Sequence, residues 1–144
     1  MANIEMLGYT VLHLETSLFS NVQQYNGESA KHLQLNCRTM TSSDSDEGVL
    51  TFDVFIEACL PENHDTDDRK PIIQTTAKFM FSFTSNEGIS EDELSEMMRT
   101  TGTQMAIPII RGILAGVGNM LCHPDVYDFP SFRPEIINWE KAEE

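Results

Sequence analysis

GISEDELSEMMRTTGTQMAIPIIRGILAGVGNMLCHPDVYDFPSF, from Gly88 to Phe132, decides how the rest of the chain is read. Ser90 and Glu93 form a Ser-x-x-Glu capping box, and Glu91, Asp92 and Glu93 set negative charge on the positive end of a helix dipole. Leu94, Met97, Met98 and Thr101 follow at helical spacing. Gly102 and its Thr neighbours form helix poorly, and Pro108 does not belong deep in an unbroken one. The spacing predicts a short helix near 90–101 and a longer one that starts shortly before Pro108, with that proline in its first turn, and ends near Leu121. Gly112, Gly116 and Gly118 each cost about 1 kcal/mol in a helix relative to Ala, which calls for a packing reason. Gly112 and Gly116 lie one turn apart and leave, with Ala115, a shallow strip that another backbone can approach. Either the strip packs on the chain's own sheet or it forms a subunit contact. Pro124, Pro130 and Pro134 keep the following segment extended or turned, and Pro134 is placed to start a short last helix with Ile136, Ile137 and Trp139.

Ahead of this half lie four stretches with the period of strands. Leu33, Leu35, Cys37 and Thr39 alternate with polar residues. From Leu50 to Leu60, an inner set of Leu50, Phe52, Val54, Ile56, Ala58 and Leu60 faces an outer set of Thr51, Asp53, Phe55, Glu57 and Cys59. From Ile73 to Phe83 the inner set is Ile73, Thr75, Ala77, Phe79, Phe81 and Phe83. Tyr9 to Leu18 is a looser strand, with Leu12, Leu14 and Leu18 opposite His13 and Glu15. One apolar face at period two means an antiparallel sheet covered on one side. The fold class is α+β, a four-stranded antiparallel sheet with helices packed on one face, in a single domain over 1–144. Ser42 to Gly48 reads as a polar hairpin loop and Pro61 to Lys70 as a longer acidic one, both without calcium-loop spacing. The crossover from Ser20 to Ala30 is unusual in carrying Val22 and Tyr25 next to Phe19.

The 144 residues carry 23 acids against 9 Lys and Arg, a formal net charge of −14. Such a balance excludes nucleic acid as a partner, because phosphates need Lys or Arg to neutralise them, and it disfavours an anionic membrane surface. Hydrophobic residues make up 40% of the chain, enough for a real core. The three cysteines, Cys37, Cys59 and Cys122, are odd in number and lack a Cys-x-x-Cys, so they read as reduced thiols in a reducing compartment. No signal peptide or membrane span is visible, so a cytoplasmic, soluble protein without direct membrane insertion is expected. His13, His32, His64 and His123 show no metal-ligand spacing, and no nucleophile–base motif stands out. Neither an enzyme nor a cofactor or metal is expected.

At this point the chain resembles the SecB family of export chaperones. The resemblance rests on Gly88-Ile89 before an acidic helix start, on Pro108-Ile109-Ile110-Arg111, and on the Pro124, Pro130 and Phe132 run, in the family's order and spacing. With the four strands it spans about Ile4 to Trp139. It implies an ATP-independent chaperone that holds unfolded polypeptides or preproteins, handing them to the translocase ATPase SecA. A solitary SecB-like chaperone serving a toxin–antitoxin pair is the alternative. It also implies a homo-oligomer, dimer or tetramer, with Gly112, Ala115 and Gly116 at the subunit contact. Clients are expected on Phe19, Val22, Tyr25, Val126, Tyr127, Phe129, Phe132 and Trp139, which are too apolar for segments rich in turn residues; packing in the monomer's own core is the alternative for them. An acidic outer sheet face of Glu15, Asp53 and Glu57 around Phe55 is the expected docking surface for a basic partner, with a merely solvated face as the alternative. The rivals from other classes are a small-ligand-binding or enzymatic α+β domain with a dry pocket between sheet and helices, and an oligomer with a purely structural role.

Overall fold

The computed structural model describes residues 3–19, 23, 30–42, 47–60, 71–120 and 137–139. Four long strands come first: β1 (Ile4–Leu18), β2 (Ala30–Thr41), β3 (Glu47–Cys59) and β4 (Pro71–Ser85). After them run α1 (Glu91–Met97), a π-helical turn (Met98–Gly102), α2 (Thr103–Met120) and a short β5 (Ile137–Trp139). The sheet order is β1-β4-β3-β2-β5. The segment between β1 and β2 therefore links strands that have two others between them, as expected of a crossover.

Register lines the inner residues of β2, β3 and β4 up in rungs that cross the sheet and reach β1. Cys37, Phe52, Phe79 and Val11 share one rung, and Thr39, Leu50, Phe81 and Tyr9 the next. Phe52, Phe79, Phe81 and Phe83 are wholly buried, and α2 covers them with Ala106, Ile110 and Leu114. Phe52 meets Phe81 edge to face at 5.6 Å, the arrangement that ring quadrupoles favour. At about 25 cal/mol per Å² of apolar area removed from water, this central layer is the main source of stability.

Two features of the helical half differ from the reading of its sequence. The chain does not break between the helices. Ser90 caps α1 through its hydroxyl to the Glu93 amide, and α1 then runs through the π-helical turn straight into α2. The Thr103 amide reaches back five residues to the Met98 carbonyl, and its hydroxyl donates to the same oxygen at 3.4 Å. Gly102 is there for close approach and not for a break: a Cβ would lie 3.2 Å from the Phe83 ring. Pro108 consequently lies inside α2 and not in its first turn. It deprives the Gln104 carbonyl of a donor, but Gln104 and Pro108 are both exposed, so water can serve that oxygen.

The second difference is at the C-terminus, where a strand replaces the expected last helix. Ile137 to Trp139 pairs parallel with β2, Leu35 opposite Ile137 and Cys37 opposite Trp139. β-Branched and aromatic residues suit a strand as well as a one-turn helix, and here they cover an edge of β2 that would otherwise lie open. Trp139 packs half-buried against the core, and the Arg99 guanidinium of the π-helical turn sits 5.2 Å from its ring centroid. No described helix is long and apolar enough to cross a membrane.

Candidate functional site

The helix-side rungs do not end where the helix cover ends. β1 pairs with β4 so that Tyr9 stands opposite Phe81, Val11 opposite Phe79, Leu14 opposite Ala77 and Leu18 opposite Ile73. The β4 partners are buried, but these four β1 side chains are between 39% and 51% exposed. Tyr9 stacks on Phe81 at 5.7 Å, which continues the core aromatic layer out to solvent. The result is an apolar row along the edge strand of the sheet, in a chain that carries 14 net negative charges. Single exposed apolar residues need no explanation, but Tyr9, Val11 and Leu14 follow one another in register, with Leu18 beyond the half-buried Thr16, and form more than scattered singles.

Sequence alternation located Leu14 and Leu18 on this row, opposite His13 and Glu15, and missed how the row begins. Leu12 falls at a register shift between Val11 and His13, and Leu7 at another between Met6 and Gly8. Each shift resets the two-residue period. Tyr9 and Val11 therefore join Leu14 on one face, which strict alternation does not show. The same shifts bend an edge that would otherwise pair freely with any extended chain.

The small-residue strip of α2 is also uncovered. Gly112, Ala115 and Gly116 are exposed, and a Cβ at either glycine would meet nothing within 4 Å. The strip therefore does not pack on the chain's own sheet. Of the expected client-binding residues, Phe19 is half-buried and its amide donates to the Ile72 carbonyl at 2.8 Å. Trp139 is engaged by the core and Arg99, as described above. Val22, Tyr25, Val126, Tyr127, Phe129 and Phe132 lie outside the described residues.

The outer face needs a correction. Glu57 was expected to point to solvent with Asp53 and Glu15, but it is only 4% exposed. β3 is a central strand, so Glu57 has neighbours on both sides, His32 on β2 and Gln74 on β4. Its carboxylate accepts from the Gln74 amide nitrogen and from the Cys59 thiol. A buried charge-bearing group needs such donors, and with them Glu57 is a structural residue and not a docking one. The remaining acids have basic neighbours: Asp53 lies 4.0 Å from Lys78 and Glu15 3.5 Å from His13. Asp53, Phe55, His13 and Lys78 line a shallow open depression of about 210 Å³. This face is mixed in charge, not a contiguous acidic patch.

His32, Glu57 and Cys59 bring their ligand atoms within 4.8 Å of one another. Sequence reading passed over the cluster because Glu57 and Cys59 become neighbours of His32 only through strand register. Cys59 is 2% exposed, so its thiol is not placed to attack a substrate.

No family model matches the sequence, and no curated protein matches it. Among solved structures, a SecB-like chaperone from Mycobacterium tuberculosis, in complex with a ChAD peptide from the HigA1 antitoxin, superposes with a TM-score of 0.63 at 13% identity, covering 83% of each chain. The chain has a SecB-like fold. A protein of unknown function from Streptococcus agalactiae gives a TM-score of 0.35 at 7% identity, covering 83% of this chain and 90% of that one. The SecB-like fold accounts for the four-stranded antiparallel sheet with its helices on one face.

Proposed function

We propose that this chain is an ATP-independent chaperone of the SecB-like kind, which holds unfolded segments on apolar surface and acts as a homo-oligomer. The observation that carries the reading is the exposed row Tyr9, Val11, Leu14 and Leu18, continuous with the core yet left open along a sheet edge. Burial of such a row gains about 25 cal/mol per Å² without demanding a particular sequence. Several weak contacts on one particle then add up through effective concentration. No nucleotide step is needed, because release follows from client folding or from transfer to a partner.

The client proposed is an antitoxin-type segment of a toxin–antitoxin pair. The structural neighbour was solved with an antitoxin peptide, and this favours that client over an export preprotein. The outer face gives the export reading little support, since Glu57 is buried and Asp53 and Glu15 sit beside Lys78 and His13. A small-ligand domain is less well supported, because Phe52, Phe79, Phe81, Ile110 and Leu114 occupy the space between sheet and helix where its pocket was expected.

The test is a double variant, Val11→Ser with Leu14→Ser, compared with wild type for native mass and for retention of a reduced, unfolded protein. Loss of retention at unchanged mass places clients on the row. A smaller particle places a second copy there, with the chaperone acting only when assembled. A folded double variant with unchanged mass and unchanged retention refutes the row as an interaction surface.

A further inference from the structure

The outer sheet face carries a second feature that the chaperone reading does not use. Glu57 and Cys59 are two residues apart on β3 and share a face, with the Cys59 Sγ 3.2 Å from Glu57 Oε1, while His32 stands opposite Glu57 on β2. Their ligand atoms lie within 4.8 Å of one another. We propose that His32, Glu57 and Cys59 form a Zn²⁺-binding site that clamps the start of β2 to the end of β3.

Chemistry selects the ion. A thiolate, an imidazole and a carboxylate together form a donor set for zinc, whereas magnesium and calcium want oxygen alone. Geometry agrees with that choice. Zn–S near 2.3 Å and Zn–O near 2.0 Å at a tetrahedral angle set sulfur and oxygen about 3.5 Å apart. The Cys59 Sγ and Glu57 Oε1 are already 3.2 Å apart. Gln74 Nε2 holds the other carboxylate oxygen, Oε2, which fixes the plane of the group, as partners behind metal ligands commonly do. Both β3 ligands are buried, and His32 is exposed beside them.

Coordination replaces the thiol–carboxylate hydrogen bond. The Sγ–H proton leaves to solvent as the Zn–S bond forms, Oε1 and an imidazole nitrogen donate lone pairs, and a water fills the fourth position. Nothing is oxidised or reduced. Because a proton is released, binding tightens as pH rises. The ion ties together the strand ends from which the 20–29 and 61–70 connections depart.

Cobalt(II) serves as the probe, added to full-length, metal-stripped protein. Wild type and Cys37→Ser should develop a thiolate-to-cobalt charge-transfer band that Zn²⁺ bleaches at one equivalent. Cys59→Ser should lack the band. His32→Ala, a surface change that leaves the fold intact, should bind at least about tenfold more weakly. At one Zn²⁺ concentration the melting temperature of wild type should also rise further than that of His32→Ala, as expected of a ligand that binds only the folded state. Absence of the band in wild type, its persistence in Cys59→Ser, or unchanged cobalt affinity in His32→Ala would each overturn the site. If Cys59→Ser does not fold, the His32→Ala comparison decides alone.

Discussion

Glycines in the helical half of this chain serve two different ends. At Gly102 the π-helical turn presses onto Phe83, and a Cβ would sit 3.2 Å from its ring. Gly102→Val overpacks that contact and should cost about 1–3 kcal/mol, read from urea unfolding. Gly112 stands in the open, so Gly112→Ala should instead stabilise the isolated chain by about 1 kcal/mol through helix propensity alone. A cost at Gly112 in urea that depends on protein concentration would mean that the open face is already covered by another copy. Gly116→Leu carries the same question further. If the strip forms a subunit contact, this variant should shift the particle to a smaller mass in native spectrometry, and an unchanged mass would dispose of that contact.

Among the elements, β5 and the π-helical turn hold each other. Trp139 closes the β2 edge and receives Arg99 over its ring. Trp139→Ala removes a half-buried indole and a cation–π contact, and should destabilise by about 2–4 kcal/mol. Arg99→Gln should cost less, about 1 kcal/mol, since most of the indole burial survives. Equal losses would mean that the tryptophan contributes only through the arginine. These elements also mark where the sequence was legible. The inner faces of β2, β3 and β4 could be read because period two runs unbroken there. β1 was half legible, because register shifts at Leu7 and Leu12 leave no local mark. The helix boundary was misread because a π-helical turn absorbs Gly102 without breaking the chain, and propensity alone cannot distinguish a close approach from a stop. Glu57 was misassigned for another reason. Alternation gives the face of a residue, whereas its burial depends on what Gln74, Cys59 and His32 supply from the same strand and its neighbours.

Across the whole molecule, a strongly acidic chain presents an apolar row on one sheet edge and an open strip of small residues on its long helix. High net charge keeps such a particle dispersed while apolar surface stays available. The outer face allows a further comparison: Asp53→Lys with Glu15→Lys reverses two of its acids and leaves the buried Glu57 intact. Client retention should be unchanged in that variant, because the retaining surface lies on the opposite side of the sheet. A fall in retention at normal mass would move the client site to the outer face. Passive holding of unfolded chains is tested by the aggregation of a reduced, unfolded protein, followed by light scattering without nucleotide. Aggregation should be suppressed at near-stoichiometric ratio, unaltered by added ATP. Full aggregation at a severalfold excess of this protein would contradict it.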